Sequence, residues 1–256
     1  MSSVTNSWAI FTAIVEVIMI HLGDMKNPWI VIGVLTIVLF GGAIAYSSFA
    51  SERNNEGVVV QENIKGNVDA VVTLVEYSDF QCPACASFMP AVDEVMEQYG
   101  ESIRFQYMHF PLPIHSYAQQ AAVAAEAAGQ QGQFFPYHDL LFANQQAWAS
   151  ASAPNALFIQ YAEQLELDIP QFRRHMNSSV LRDKVRTEMN TGRELGITGT
   201  PTFFLNGERM QIATFQDFVE QIAAAVDPEA AVLQARPDTD ESVVGESTGE
   251  TVRFGL

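Results

Sequence analysis

The chain is short of cysteine and short of charge, and each shortage excludes a class of protein. Its 256 residues include only 2 cysteines, too few for a disulfide-stapled scaffold or a four-cysteine metal site. Charged residues make up 17% of the chain, below the roughly 25% usual in soluble domains. Lys and Arg number 13 against 30 Asp and Glu, a formal net charge of −17. Nucleic acid is therefore not expected as a partner, because phosphate recognition needs clustered positive charge.

The missing charge is concentrated in one apolar segment near the N-terminus. Residues 27–51 contain no charged side chain, and the apolar run from Trp29 to Phe49 would span roughly 30 Å as a helix, about one hydrocarbon core. Met25 and Lys26 precede this run in the pattern of a signal peptide or signal anchor. Since Lys26 would lie on the cytoplasmic side, we predict a single-pass membrane anchor at residues 25–50. The rest of the chain would be extracytoplasmic, on the periplasmic or cell-wall side.

Three features of this N-terminal region stay open at the level of sequence. Residues 1–24 are a doubtful extension if translation starts at Met25 rather than Met1. Alternatively, they form the first helix of a membrane hairpin that turns at residues 23–28. The small residues around Phe49 would also permit cleavage of the anchor after Ala50.

The remaining chain predicts an α/β domain between two polar segments. Residues 51–67 have the composition of a linker, and residues 227–256 form an acidic tail predicted to be disordered. Between them, residues 68–226 predict the order β-α-β, then about four helices, then β-β-α. The helical block occupies about residues 116–195. The predicted strands are Ala70–Tyr77, Ile103–His109, Thr202–Leu205 and Met210–Ala213, with a hairpin turn at Asn206-Gly207.

The two cysteines form a Cys-Pro-Ala-Cys motif where a predicted strand gives way to a helix. Cys82 would lie at the helix N-terminus, where backbone N–H groups and the helix dipole stabilise a thiolate. Pro83 suits the first turn, because its missing N–H would have no helical partner there. Cys85, one turn later, would be shielded by the helix. We therefore predict Cys82 as the attacking sulfur and Cys85 as the resolving one. No metal site is expected, since the histidines form no recognisable set with the cysteines.

Two separated motifs carry a resemblance to a known family. The first is Val-Glu-Tyr-Ser-Asp-Phe-Gln-Cys-Pro-Ala-Cys at residues 75–85, and the second is Gly-Thr-Pro-Thr-Phe-Phe-Leu-Asn-Gly at residues 199–207. Together they resemble the DsbA-like thiol:disulfide oxidoreductases, in particular their membrane-anchored, Gram-positive-type branch. The resemblance implies a thioredoxin-like fold with an inserted helical subdomain, preceded by an N-terminal transmembrane helix. It also implies that no cofactor is needed beyond the redox-active Cys82–Cys85 disulfide.

The resemblance further implies roles for individual residues. The Thr200–Pro201 bond would be cis and face the cysteines, and the Thr200 backbone would pair with an extended substrate. Glu76 would be a buried acid that exchanges a proton with Cys85. Ala84 replaces the histidine of the best-known oxidases, which leaves the oxidising strength of the site open. The expected catalytic residues are Cys82, Cys85, Glu76 and Pro201, and the expected substrate-binding residues are Pro83, Ala84 and Thr200.

These features predict an extracytoplasmic oxidase that donates its disulfide to exported proteins. Its partners would be reduced or unfolded exported proteins and a membrane quinone-linked reoxidase, and the enzyme is expected to be a monomer. The alternatives are a disulfide reductase or isomerase, and a non-catalytic client- or copper-binding module. A basic run at residues 173–193 could dock anionic partners or form a solvated helix face.

Overall fold

The computed structural model describes residues 28–228, which divide into two compact units at Gly57 and Val58. The described residues do not include the proposed start at Met25, Lys26, the rest of residues 1–27 or the acidic tail beyond Pro228. The predictions made for them therefore stay predictions.

Helix α1, Pro28–Asn55, belongs to the first unit. An 18-residue window within its residues 32–55 has a mean hydropathy of 1.9 and no buried residue, so the helix is long and apolar enough to cross a membrane. A signal sequence near the N-terminus can meet the same criteria of length and composition. The helix continues past the predicted boundary at residue 50 and ends at Asn55, two residues before Gly57, whose φ is +74°.

The second unit is built on a mixed five-stranded sheet in the order β1-β3-β2-β4-β5. Strands β2 and β3 are parallel and are connected by helix α2, Pro83–Tyr99, whereas the other pairs are antiparallel. The strands are β1 Asn63–Gly66, β2 Val72–Ser78, β3 Ile103–His109, β4 Thr202–Leu205 and β5 Glu208–Arg209.

Two sequence-based assignments at the edges of this sheet are wrong. The predicted linker contains β1, which pairs with β3. This short strand has only one large apolar residue, Ile64, and therefore no recognisable hydrophobic alternation; it forms because the edge of β3 offers it a pairing partner. The domain consequently begins near Val58 rather than at residue 68. The predicted strand Met210–Ala213 is an irregular segment, and the hairpin partner is the two-residue β5.

The predicted helical block is present and contains two more helices than expected. The additional helices are α5 and α7, which are only 5 and 8 residues long, too short for a clear helical period. The inserted helices are α3 Ala118–Gly129, α4 Phe134–Ala143, α5 Gln145–Ala149, α6 Asn155–Gln164, α7 Ile169–Met176 and α8 Ser179–Glu194. Helix α9, Phe215–Val226, closes the domain.

Apolar side chains cover both faces of the sheet. On one face, Leu74, Phe105 and Tyr107 join a large core with the aromatic residues of α4. On the other face, Tyr77 and Phe110 pack against α8 at Gly192, where an added Cβ would lie 2.7 Å from Phe110 Cδ2. The glycine therefore sets how closely α8 approaches the sheet.

A buried ionic network joins β1 and β3 to the helical block. Glu126 on α3 accepts a hydrogen bond from Asn63 Nδ2 at 2.7 Å, lies 2.8 Å from His109 Nε2 and contacts Lys184 Nζ. Lys184 also lies 3.3 Å from Glu188. Burial opposes ionisation of Glu126, but His109 and Lys184 outweigh it and hold its pKa below the ordinary value. The basic run of α8 is thus not one solvated face, because Lys184 points into the protein.

Candidate active site

Cys82 lies at the junction between the loop after β2 and helix α2. It is the N-cap residue, with extended φ and ψ of −76° and 120°, and Pro83 is the first residue of the helix. Its N–H donates to the Asp79 carbonyl at 3.0 Å, and its Sγ lies 3.4 Å from the Thr200 carbonyl oxygen. Both cysteines are free thiols in the structure.

The surroundings of Cys82 favour its thiolate. A hydrogen bond from the Cys85 thiol makes the largest contribution and lowers the pKa of Cys82 to about 5, although burial opposes the shift. Thr200 and the backbone N–H groups of Cys85 and Ala84 lower the pKa further. Pro83 and Ala84 themselves are exposed, so this side of the motif is open to a partner.

The surroundings of Cys85 have the opposite effect. Cys85 is 1% exposed, and its burial raises the pKa of the thiol, with Cys82 and the nearby Glu76 raising it further. Within one helical turn, the motif thus holds one sulfur that ionises readily and one that keeps its proton. This is the asymmetry that thiol–disulfide exchange needs, since the thiolate is the nucleophile and the better leaving group.

Glu76 lies on β2 within the same core. Its register partners are Tyr107 on β3 and Phe203 on β4, so the carboxyl group is flanked by aromatic side chains. Burial raises the pKa of Glu76 to about 7, and the Ser78 hydroxyl offsets part of the rise. An acid with a pKa near neutrality is suited to exchange a proton at physiological pH.

The loop before β4 faces the cysteine pair. The Thr200–Pro201 peptide bond is cis, which confirms the expectation from the resemblance. Thr200 places its carbonyl oxygen next to Cys82. The residues expected to form one site are thus brought together: both cysteines, Pro83, Ala84, Glu76 and the Thr200–Pro201 pair.

A buried carboxylate that the sequence analysis missed holds the active-site loop. Asp79 is 2% exposed, and it accepts hydrogen bonds from Gln81 N at 2.7 Å and Leu112 N at 2.8 Å. Its second oxygen lies 2.7 Å from His115 Nδ1. Helix α5 adds another support, because Gln145 Nε2 donates to the Cys82 carbonyl at 2.9 Å. Only the position of Asp79 directly after a buried strand could have suggested this role.

A groove of about 810 Å³ extends from Pro201 between α2 and the segment that precedes α9. Its apolar lining includes Phe88, Met210, Ile212 and Phe215, and the Phe88 and Phe215 rings meet edge to face with their centroids 4.7 Å apart. Half of the Phe215 side chain is exposed. The sequence pattern did not reveal this groove, because residues 210–213 were predicted to be a strand and are irregular in the structure.

No group of three or more His, Cys, Asp or Glu side chains within residues 28–228 could hold a metal ion.

Residues 59–224 match the family model described as Thioredoxin. A thioredoxin-like oxidoreductase from Silicibacter pomeroyi DSS-3 superposes with a TM-score of 0.56 at 25% identity, covering 68% of this chain and 95% of that one. Wolbachia pipientis α-DsbA1 superposes with a TM-score of 0.59 at 20% identity, covering 72% and 100%.

Curated relatives give a further likeness of limited extent. The chain is 38% identical over 179 residues to a Na⁺/H⁺ antiporter, NhaA 3, of Salinispora tropica, and this match covers 70% of the chain but 26% of the antiporter. The chain thus spans about a quarter of the length of that relative. The family match covers well over half of the chain and contains both cysteines and the cis-proline, so the protein belongs to the thioredoxin family and has the DsbA-like form of its fold.

Proposed function

We propose that this protein is a thiol:disulfide oxidoreductase that acts as an oxidase of exported proteins. The observation that carries the proposal is the unequal cysteine pair beside the cis-proline. Because the surroundings of Cys82 stabilise its thiolate, they favour the reduced protein over the disulfide. A disulfide whose reduced form is stabilised in this way is a strong oxidant.

The reaction would proceed in two exchange steps. A substrate thiolate attacks Cys82 Sγ of the disulfide, the Cys82–Cys85 bond breaks, and the Cys85 sulfur leaves with the electron pair and takes a proton through Glu76. The second substrate thiolate then attacks the substrate sulfur of the mixed disulfide, and Cys82 leaves as its stabilised thiolate. The substrate loses two electrons and two protons, and the protein ends as the Cys82 thiolate and the Cys85 thiol.

The groove supports an extended polypeptide as the substrate. It begins at Pro201 and Thr202, and its apolar walls suit side chains that a folded protein would bury. The Thr200 backbone next to Cys82 could pair with the substrate main chain. Reduced or unfolded chains expose both features, which matches the proposed clients.

Helix α1 supports attachment to a membrane, with the redox domain on the extracytoplasmic side. There the domain would meet exported chains and a quinone-linked reoxidase in the same membrane. We propose no bound cofactor and a monomeric enzyme. Transport is not proposed for this chain, because its match to the antiporter covers only a quarter of that protein.

Trapping of mixed disulfides tests the exchange chemistry. The Cys85→Ala variant cannot resolve a mixed disulfide through Cys85, so it is expected to accumulate covalent adducts with client proteins that dithiothreitol releases. The matched Cys82→Ala variant should accumulate few. If both variants bind clients equally without forming adducts, a client-holding module is favoured. If the protein holds copper and both variants lose it, a copper site is favoured.

The reduction potential separates an oxidase from a reductase. Equilibration of the full chain with glutathione buffers is expected to give a potential well above about −270 mV, the value of thioredoxin. A value at or below that of thioredoxin would exclude the oxidase direction and leave the reductase.

A further inference from the structure

A small group of buried side chains near the cysteine pair has polar atoms without hydrogen-bond partners among the described residues. Glu76, Ser78 and Tyr107 are each at most 1% exposed. Both carboxyl oxygens of Glu76, the Ser78 hydroxyl and the Tyr107 hydroxyl make no hydrogen bond of ordinary geometry with any residue that the structure describes. Buried polar groups are nearly always paired, so several unpaired ones in one place call for a functional explanation.

The three side chains face the same side of the sheet. Glu76 and Ser78 are two residues apart on β2, and therefore share a face. Tyr107 is the register partner of Glu76 on the parallel strand β3. The Ser78 hydroxyl is close enough to Glu76, Cys85 and Tyr107 to lower the pKa of each. The Ser78 hydroxyl thus lies near both the acid and the buried sulfur. The charges of Glu76 and Cys85 also act on Tyr107.

We propose that the Ser78 hydroxyl relays a proton between Glu76 and the Cys85 sulfur, and that the Tyr107 hydroxyl positions and stabilises the Glu76 carboxylate. This inference rests on the proposed function, because it concerns the proton that accompanies cleavage of the Cys82–Cys85 bond. In the proposed function, Glu76 exchanges a proton with Cys85, and the Ser78 hydroxyl provides the path for that proton.

The step balances without a further reactant. When a thiolate attacks Cys82 Sγ, the departing Cys85 sulfur carries the electron pair. It accepts the Ser78 hydroxyl proton while Ser78 takes the proton of the Glu76 carboxylic acid. The products are the Cys85 thiol, an intact Ser78 hydroxyl and the Glu76 carboxylate, which recovers a proton from solvent before the next turnover.

The neighbours of Glu76 leave its carboxyl group as the proton donor. Cys85 approaches from α2 and Tyr107 from β3, while Asp79 follows β2 and raises the pKa of Tyr107. Strand β4 contributes the apolar Phe203. Helix α4 contributes His138, whose ring lies 4.9 Å from that of Tyr107 and whose pKa is lowered by burial. Among these groups, Glu76 has the raised pKa, about 7, that suits a donor near neutrality.

The test is the pH dependence of reduction of the oxidised full chain by dithiothreitol. The rate constant, expressed per dithiothreitol thiolate, is followed by alkylation quench and intact mass. In the wild type it is expected to fall as the pH rises through about 7, because Glu76 loses the proton that it donates. The rate constant of Ser78→Ala is expected to be about tenfold below that of the wild type at pH 6 and equal to it at pH 9. It should therefore hardly change with pH between these values.

Matched variants separate the relay from a packing effect. Ser87→Ala removes an exposed hydroxyl of the same helix as Cys85 and is expected to follow the wild type. Ser78→Thr keeps a hydroxyl and is expected to restore the pH dependence, which keeps the test valid if Ser78→Ala folds poorly. Tyr107→Phe is expected to keep the wild-type shape but to move its midpoint up by half a pH unit or more, because the proposed role of the Tyr107 hydroxyl is to donate to the Glu76 carboxylate once that group has ionised.

Each result bears on a different statement. A Ser78→Ala profile that falls with pH as the wild type does would overturn the relay. A Tyr107→Phe midpoint that stays or moves down would overturn the role of Tyr107. An oxidised wild type that dithiothreitol does not reduce at Cys82 would instead overturn the proposed function.

Discussion

At the scale of single residues, the chemistry of Cys82 follows from its neighbours more than from its own burial. Cys82 is only 7% exposed, and burial by itself would raise its pKa. The Cys85 thiol, Thr200 and the first backbone N–H groups of α2 outweigh that effect. Removing the Cys85 thiol, which makes the largest contribution, should therefore raise the pKa of Cys82 measurably.

We expect the absorbance of the Cys82 thiolate to titrate near pH 5 in the reduced wild type and at least about one pH unit higher in Cys85→Ala. Unfolded protein serves as the control, and its thiolate absorbance should titrate with a midpoint at about pH 8.5. A wild-type midpoint above 7.5 would contradict the proposed environment. Because the folded pKa is lowered, the contribution of Cys82 to stability is complete above the unfolded pKa. It is lost as the pH falls through about 5.

Glu76 should make stability depend on pH in the opposite direction. Its pKa is raised from 4.5 to about 7 in the folded protein, so its contribution is complete below pH 4.5 and is lost as the pH rises through 7. Glu76→Gln should therefore be more stable than the wild type at pH 8 by about 3 kcal/mol, with a much smaller difference at pH 4.5. Urea denaturation of the oxidised proteins measures this, since oxidation removes the titration of the cysteines. The exposed Glu97→Gln should keep the wild-type pH dependence.

At the scale of elements, the buried network explains how the helical block is fastened to the sheet. Lys184 on α8 neutralises carboxylates from α3 and from its own helix, and its side chain is only 5% exposed. Asn63 adds β1 to the same network. The strand that the sequence pattern did not reveal is therefore held by a polar contact as well as by its pairing with β3.

Lys184→Met is expected to lower the free energy of unfolding by about 3–5 kcal/mol, because the buried carboxylates of Glu126 and Glu188 would lose the lysine cation that they share. The matched variant Arg186→Met removes a cation from the same helix, where its pair with Asp183 is exposed. It should cost less than about 1 kcal/mol. If urea denaturation gives the same loss in free energy of unfolding for both variants, the buried network stabilises the fold no more than an exposed ion pair does.

At the scale of the whole molecule, the two units have different tasks. The first contributes an apolar helix with unburied side chains, and the second contains the complete cysteine site and the family match. Redox activity should therefore not require α1, whereas attachment to membranes should.

We expect the full chain to sediment with membranes and to remain there after carbonate washing. The chain from Gly57 onward should stay soluble and be reduced by dithiothreitol at a rate within about twofold of the full chain in detergent. Release of the full chain by carbonate would contradict the anchor. A large loss of reactivity in the shorter chain would contradict the independence of the redox unit.

The sequence by itself determined the anchor-like helix, the βαβ unit, the central helical block and the two motifs of the site, because each depends on local pattern. Hydrophobic period, the Cys-Pro-Ala-Cys motif at a strand–helix junction and the Gly-Thr-Pro motif are all readable within a few residues. The cis bond was foreseen only through the resemblance that these motifs carry.

Only the tertiary structure decided the features that depend on contacts between distant segments. Strand β1 needs the edge of β3, the groove needs Phe88 to face the segment before α9, and Asp79 is recognisable only through its contacts with Leu112 and His115. The unequal ionisation of Cys82 and Cys85 has the same origin. Their sequence neighbours place them one turn apart, but burial and the approach of Glu76 and Thr200 set which sulfur holds the proton.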